Sequence, residues 1–376
     1  PTPSIRREIT MPAPAHLELR PLDGLLPGGR VRLHHPSGAS VEIAPFGAHV
    51  LSWTTPSVAD AAADSTPPPP VVERLWMSRL SAMDGSAPIR GGIPIAWPQF
   101  ADVGGMPLHG FARERVWTVA ETTAPAPGKG GHGGFGPATV TFALRADEDT
   151  TNGTWRSPAT EPFPYKFELR YTVSLGAKSL RLRLEARHLA DSPAPGPMPF
   201  TGCLHTYFRT ADSSQVLIKG GLEGVPFVDK VDGMKTKTHK SDSMRLAESA
   251  HESGGYTDRV YTPGDGARAK GEPAAKKARG EGPARAPWAT ALHCGPGLDA
   301  GAPSARTQYA VSCSGDWPDV VIFNPWETGK LGDKGPDFDD DGYRSMVCVE
   351  PCVASAPAQV AKGAQWAGEC NVDIVE

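Results

Sequence analysis

YKFELRYTVSLGAKSLRLRLEARHL, residues 165–189, is the stretch that decides the fold. In each half, apolar and polar residues alternate as they do in a β-strand with one buried face. The tripeptide Gly-Ala-Lys at 176–178 separates the halves and predicts a tight hairpin. The second half is rich in Leu and Arg, which also favour helices. The strict alternation of leucine over 180–184 nevertheless favours a strand.

Short alternating segments also lie on both sides of this hairpin. Before it, four of them lie within residues 15–53, divided by Pro, Gly or Ser, and another runs over 138–145. After it, strands are predicted at QVLIKG (215–220), QYAVSC (308–313), DVVIFNPW (319–326) and SMVCVEP (345–351). No long apolar helix pattern accompanies them. The sequence therefore predicts an all-β protein, a large antiparallel β-sandwich of two sheets packed face to face.

A chain of 376 residues could form two domains or one large β domain with insertions. We expect an N-terminal extension over residues 1–14 and a single domain over 15–376. Low-complexity insertions are predicted at 56–70, 123–137 and 263–306, where Pro, Gly, Ala and Lys are concentrated.

Composition argues against several classes of partner. With Lys+Arg 38 against Asp+Glu 42, the net charge of −4 provides no broad basic field for nucleic acid. The basic tract at 263–287 lacks interleaved aromatic residues. No apolar run is long enough for a membrane helix, and the first ten residues lack the apolar core of a secretory signal. We therefore expect no nucleic acid or membrane partner, a monomer, and a cytoplasmic location, with an organelle left open.

Cofactor motifs are also weak. GHGGFG at 131–136 spells GxGxxG, but no strand precedes it and no helix follows, so a dinucleotide site is not expected. The six cysteines form no CxxC pair. Cys348 and Cys352 lie four apart without a second half of a metal site. Free thiols, no metal and no organic cofactor are predicted.

An irregular segment from Arg90 to Trp117 reads RGGIPIAWPQFADVGGMPLHGFARERVW. Such a backbone is typical of loops that carry a site. Arg90 and Arg113 stand near its two ends, and a guanidinium suits two-toothed contact with an anion. His109 could line a pocket or cap a turn. The alternative is a loop that crosses the core with its arginines in water.

Three further residues could do chemistry. His205 lies among apolar and aromatic neighbours in LHTYF, and Glu350 closes the apolar run SMVCVE. Together they could form an acid–base pair, because one group can take a proton while the other gives one. A core histidine with one hydrogen bond and a solvated strand-end carboxylate are the alternatives. Asp258, in YTDRVY, could anchor a hydroxyl, orient a histidine or pair with Arg259.

Two hydrolase mechanisms fit less well. A Ser–His–Asp triad of the α/β-hydrolase kind lacks its GxSxG elbow. Glycoside hydrolysis needs paired carboxylates, and only Glu350 is well placed.

Six blocks in this order resemble one family: RGGIPIAWPQF, HGFARERVW, LHTYF, TDRVY, NPW and CVEP. They are similar to the glucose-6-phosphate 1-epimerases, hexose-6-phosphate mutarotases of the galactose-mutarotase-like superfamily. The resemblance spans about Arg90 to Glu350, and six blocks in the same order are far more specific than any one of them.

The resemblance implies a β-sandwich with the sugar on a concave face. It implies that His205 protonates the ring oxygen while Glu350 takes the anomeric proton, without metal or organic cofactor. It also implies that Arg90 and Arg113 hold the 6-phosphate, that Asp258 binds sugar or positions His205, and that His109 contacts the sugar.

Two positions depart from the family's pattern. Leu108 stands where many relatives carry Gln, and Glu114 stands where many carry Asn. Both changes bear on phosphate preference and leave the proposed acid and base in place. A non-catalytic sugar-phosphate binder or assembly protein with the same fold is the alternative to an enzyme.

Overall fold

The computed structural model describes residues 17–20, 26–57, 71–102, 106–126, 135–146, 163–263, 288–296, 306–327 and 335–375. Within them the protein forms 22 strands, arranged in three sheets. Every pair of these strands is antiparallel.

A five-stranded sheet contains the first part of the chain in simple sequential order. Its strands are β1 (Leu17–Arg20), β2 (Arg30–His34), β3 (Ser40–Ala44), β4 (His49–Pro56) and β5 (Val71–Glu73).

A nine-stranded sheet is built around the predicted hairpin. Its strands are β7 (Thr118–Thr123), β8 (Ala138–Ala146), β9 (Phe167–Leu175), β10 (Ser179–His188), β13 (Leu217–Lys219), β16 (Ser243–Arg245), β18 (Trp288–Pro296), β19 (Arg306–Gly315) and β22 (Gln365–Val375). Their order is β16-β13-β18-β19-β22-β10-β9-β8-β7. In β9 every second side chain is buried, as the alternation predicts.

An eight-stranded sheet carries Asp258 and Glu350, and His205 lies in a break between two of its strands. Its strands are β6 (Ile95–Ala96), β11 (Met198–Leu204), β12 (Tyr207–Arg209), β14 (Pro226–Asp229), β15 (Lys235–Thr238), β17 (Thr257–Tyr261), β20 (Asp319–Asn324) and β21 (Met346–Val360). The order is β15-β14-β17-β20-β21-β11-β6, and β12 also pairs with β21.

Helical structure in the described residues is short. One α-helix, α1, spans Leu246–Glu252, and 3-10 turns occupy Ala112–Glu114, Ser213–Gln215 and Gly342–Ser345. Among the described residues, no helix is both long and apolar enough to cross a membrane.

The main hydrophobic core joins all three sheets, with Trp53 of β4, Phe167 of β9 and Val349 of β21 in one buried cluster. Strand β21 shows how the core positions the site. Val347 and Val349 face this core, whereas the alternate residues of the strand face the opposite side of the sheet. Glu350 lies on that opposite side.

The all-β antiparallel sandwich is confirmed, with two differences in detail. The first is the third, five-stranded sheet, which the two-sheet expectation did not include. The second concerns the insertion predicted at 263–306, because Trp288–Pro296 forms β18 between β13 and β19. Buried residues alternate along its first half, a signal that the surrounding Ala, Gly and Pro obscured. The rest of that insertion, except residue 263 and the first residue of β19, lies outside the described residues.

The other two predicted insertions are described only in part. Pro56 ends β4 and Thr123 ends β7. Residues 58–70 and 127–134, including most of the GHGGFG string, lie outside the described residues.

Candidate active site

A cavity of about 240 Å³ lies beside the eight-stranded sheet. Its wall comes from three parts of the chain: the irregular segment with the three residues before it, the break between β11 and β12 with the first residue of β12, and residues 336–337. The lining residues are Ala87, Pro88, Ile89, Arg90, Pro94, Ala96, Leu108, His109, Arg113, His205, Tyr207, Pro336 and Asp337.

The irregular segment is packed tightly enough to hold its side chains in place. Trp97 is fully buried and contacts the rings of Phe111, Phe167 and Phe200. Gly110 has φ +70°, and a Cβ at this position would lie 2.3 Å from the Trp97 carbonyl oxygen. Only glycine fits this close approach without strain. The segment therefore passes through the core at Trp97, while its Arg90 and Arg113 line the cavity.

His205 sits in the two-residue break between β11 and β12. Its backbone N–H donates to the Pro94 carbonyl at 3.0 Å, which ties the break to the irregular segment. The imidazole stacks on the Tyr207 ring at 4.6 Å between centroids with an interplanar angle of 4°. His109 packs edge-on against it at 5.4 Å. These contacts fix the ring plane beside the cavity.

Glu350 lies in the first third of β21 and is 1% exposed. Its Oε1 is 3.2 Å from His205 Nδ1. Its Oε2 accepts from the Cys203 thiol, 3.4 Å away. His205 Nδ1 is buried and forms no hydrogen bond, because the contact with Oε1 lacks hydrogen-bond geometry. The imidazole and the carboxylate are therefore adjacent but not locked together.

Burial disfavours charge on both groups. Desolvation raises the pKa of Glu350 well above its ordinary value, and the negative charge of Asp258 adds to this. Desolvation also lowers the pKa of His205 well below its ordinary value, helped by His109, Arg90 and Arg113. Groups this close titrate as a unit. Neighbouring groups whose pKa values are moved in opposite directions can divide the roles of proton donor and proton acceptor.

Arg90 is held from one side by an acidic residue that the sequence did not single out. Its Nε and Nη2 donate to the two carboxylate oxygens of Asp337, at 3.1 and 3.0 Å. Its Nη1 lies 3.5 Å from the Tyr207 hydroxyl. Burial acts to lower the pKa of Arg90, but Tyr207 and Asp337 outweigh it and raise the value. Asp337 fixes the guanidinium plane and leaves the Nη1 side for other contacts.

The positive charge of Arg113 is less well compensated than that of Arg90. Its Nη2 donates to the Leu108 carbonyl, whereas its Nε is buried without a hydrogen-bond partner. Burial lowers the pKa of Arg113; Glu114 opposes this and the charge of Arg90 adds to it. Two guanidinium groups thus line one cavity with a single carboxylate, Asp337, in its wall. This cavity favours an anion.

His109 is a neutral hydrogen-bond donor in this arrangement. Its Nδ1 accepts from the Ala101 backbone N–H at 3.2 Å, which leaves the ring proton on Nε2. Burial and the nearby charges of Arg113, Arg90 and Lys230 lower the pKa of His109 to about 3. The backbone of His109 has φ +62°, a conformation uncommon outside glycine.

Asp258 lies outside the cavity lining, next to a lysine. Its Oδ2 is 2.7 Å from Lys230 Nζ, and its Oδ1 is buried without a hydrogen bond. Burial raises the pKa of Asp258. The predicted alternative, an ion pair with Arg259, is wrong, because Arg259 instead contacts Asp229 and Glu252. Asp258 influences Glu350 through its charge rather than through a direct bond to His205.

Four of the six residues named from sequence line the cavity: Arg90, His109, Arg113 and His205. Glu350 is outside the cavity lining but contacts His205, and Asp258 lies near Glu350. Sequence reasoning missed Asp337, Lys230, Tyr207 and Cys203. Asp337 lies in the acidic tract DFDDD, where nothing marks one carboxylate above the others. Tyr207 is the tyrosine of LHTYF, and its position two residues after His205 could have indicated a contact with the imidazole.

One cluster in the described residues has the donor set of a metal site. His205, Cys348 and Glu350 each offer one ligand atom, and the three atoms lie within 4.8 Å of one another. The spacing of Cys348 and Cys352 indicated no metal site, and it could not show that His205 and Glu350 lie beside Cys348.

Comparison with known proteins places this geometry in context. Residues 29–373 match the aldose 1-epimerase family profile. A putative glucose-6-phosphate 1-epimerase of Cenchrus ciliaris is 27% identical over 349 residues, which cover 92% of this chain and 84% of that protein. One from Escherichia coli is 27% identical over 330 residues, covering 87% and 84%.

The fold has solved relatives too. The crystal structure of a putative mutarotase from Salmonella typhimurium superimposes with a TM-score of 0.65 at 25% identity, covering 96% of this chain and 94% of that one. The family match extends over nearly the whole chain, and the fold expected from the resemblance is the fold observed. The chain belongs to the aldose 1-epimerase family.

Proposed function

We propose that this protein interconverts the α and β anomers of a hexose 6-phosphate, with D-glucose 6-phosphate as the substrate. The observation that carries the proposal is the 3.2 Å separation of His205 Nδ1 and Glu350 Oε1 beside a cavity lined by two arginines. The names of the two relatives point to the same substrate.

Ring opening needs one acid and one base at a single carbon. Glu350 takes the proton from the anomeric O1 hydroxyl while His205 gives a proton to the ring oxygen O5. The C1–O5 bond breaks and the C1–O1 bond becomes a carbonyl. Rotation about C1–C2 then presents the other carbonyl face to the O5 hydroxyl. Closure reverses both transfers: Glu350 gives its proton to O1 while His205 takes the proton of the O5 hydroxyl, so the pair ends as it began.

The surroundings of the pair suit this proton exchange. The Cys203 thiol donates to Glu350 Oε2, which leaves Oε1 for the sugar and His205. Tyr207 and His109 hold the imidazole in one plane. A dry site strengthens each of these interactions, since the effective dielectric is low.

The phosphate is assigned to Arg90 and Arg113. Arg113 Nε is buried without a partner, and the Nη1 side of Arg90 is not taken by Asp337. The Nε2–H of His109 is free of the Ala101 contact and is suited to a sugar oxygen. Charge-assisted contacts of this kind contribute about 1.5–3 kcal/mol each.

A neutral aldose is the second candidate substrate, and Asp337 is the observation that favours it. This carboxylate lines the cavity and already occupies two N–H groups of Arg90. Glu114 lies next to Arg113, and Leu108 offers no polar group to a ligand. A carboxylate in the wall weakens the attraction of the two arginines for a phosphate dianion and leaves a neutral sugar unaffected.

Exchange NMR separates these candidates. We expect the protein to accelerate anomer exchange of glucose 6-phosphate above the protein-free rate, and glucose much less. Acceleration of glucose alone would assign the neutral sugar. Binding of either sugar without acceleration would favour the non-catalytic binder. His205→Ala and Glu350→Gln should each abolish the acceleration while the far-UV spectrum stays that of a β protein.

A further inference from the structure

The cluster of His205, Cys348 and Glu350 is assembled by strand pairing. Cys348 and Glu350 are two residues apart on β21, so their side chains point to the same face. Tyr207 is the register partner of Cys348, and His205 precedes Tyr207 by two residues. All three side chains of the cluster are buried.

Two features of the contact between His205 and Glu350 point to a ligand among these three groups. His205 Nδ1 is a buried nitrogen without a hydrogen bond, aimed at Glu350. Its 3.2 Å distance to Oε1 also matches two donors on one tetrahedral ion. Zn–N and Zn–O bonds of about 2.0–2.1 Å at a tetrahedral angle put the two ligand atoms about 3.3 Å apart.

We propose that His205, Cys348 and Glu350 form a binding site for one thiophilic divalent cation of the Zn²⁺ class. The thiol proton leaves to solvent when the sulfur binds the ion. The thiolate and the carboxylate then neutralise the ion's two charges, which a buried site requires. His205 lines the cavity, so the cavity gives access, and water or a sugar hydroxyl takes the fourth position.

Occupation of the site has a consequence that rests on the proposed function. The ion holds the lone pairs that His205 and Glu350 use to move protons. Zn²⁺ would therefore be an inhibitor of anomer exchange rather than a cofactor, and a chelator would restore the rate. The binding itself does not depend on any activity.

Direct binding tests the site on the full chain. After treatment with chelator, the protein is titrated with Zn²⁺ by calorimetry near neutral pH, and with Co²⁺ as a spectroscopic probe. We expect one tight equivalent and a thiolate-to-cobalt absorption band in the near ultraviolet. Cys348→Ala should lose the band and weaken Zn²⁺ binding at least about tenfold, and Cys348→Ser, which is closer in size, should do the same.

Cys352→Ala is the matched control. Cys352 is a fully buried thiol on the same face of β21, on the other side of Glu350 and outside the three-residue cluster. Its variant should keep the band and the affinity. Failure of the wild type to bind, or equal binding by Cys348→Ala, would overturn the site. Inhibition is measured against each variant's own zinc-free rate, so a protein that binds Zn²⁺ but has no exchange activity would contradict the proposed function alone.

Discussion

Replacing Glu350 by glutamine should move activity and stability in opposite directions. The amide has nearly the size of the carboxyl group but cannot accept the anomeric proton. General base catalysis contributes about 10²–10⁴-fold, so kcat/KM for anomer exchange should fall by that factor. This corresponds to about 3–5 kcal/mol of lost transition-state stabilisation.

The free energy of unfolding should rise. Glu350 is 1% exposed, and burial followed by the charge of Asp258 raises its pKa above 4.5. Above pH 4.5 the unfolded chain releases this proton more readily than the folded protein does, so the wild type loses stability as the pH rises. Glutamine removes this loss. We expect a gain of order 1 kcal/mol or more at pH 7–8, which vanishes below pH 4.5 because the carboxyl group is then neutral in both states.

Urea denaturation at several pH values and exchange NMR on the same samples measure both effects. Glu223→Gln provides the control, because Glu223 is exposed, and it should change neither quantity. Full exchange activity in Glu350→Gln would refute its role as the base. A variant that is inactive and also less stable than the wild type at pH 8 would refute the argument from burial.

Three further outcomes are expected. Arg113→Ala should raise KM for glucose 6-phosphate about 10- to 100-fold, because a charge-assisted contact with the phosphate is lost. The kinetics with glucose should stay unchanged. Equal effects on both sugars would contradict the assignment of the phosphate to Arg113. Asp337→Asn should lower KM for glucose 6-phosphate by up to about tenfold. The change removes a negative charge that repels the phosphate, while the amide oxygen of the asparagine can still accept from Arg90. A higher KM would mean that holding Arg90 in place matters more than this repulsion. His49 is fully buried, and its ring contacts the Gly91 carbonyl at 2.8 Å. Desolvation lowers its pKa to about 4, so as the pH falls from 6.5 the unfolded chain binds a proton at His49 before the folded protein does. Between pH 7.5 and 5, the unfolding free energy of the wild type should therefore drop by about 2 kcal/mol more than that of His49→Gln.

Local alternation of apolar and polar residues predicted the strands and their buried faces reliably. The alternation within 165–189 reports which side chains face the core, and β9 and β10 pair directly across the predicted turn. The strand Trp288–Pro296 was missed because its flanks are Ala, Gly and Pro, although Trp288, Leu292 and Cys294 are buried at even spacing. The third sheet was missed because periodicity gives strand faces but not strand partners.

The candidate site depended on pairings that no local pattern contains. His205 and Glu350 meet because β11, β12 and β21 lie side by side, and their register is set by the whole sheet. The family resemblance pointed to both residues, and the structure places His205 Nδ1 3.2 Å from Glu350 Oε1. It did not supply Asp337 or Lys230, whose importance comes from contacts with Arg90 and Asp258 rather than from any motif.

The rate of α-to-β exchange of glucose 6-phosphate is the most direct measurement of the central claim. Wild type and His205→Ala are compared at equal concentration with a protein-free sample, by two-dimensional exchange NMR on the anomeric protons. The acid–base pair of His205 and Glu350 predicts strong acceleration by the wild type and the protein-free rate in the variant. Equal acceleration by both proteins, or none by the wild type, would contradict it.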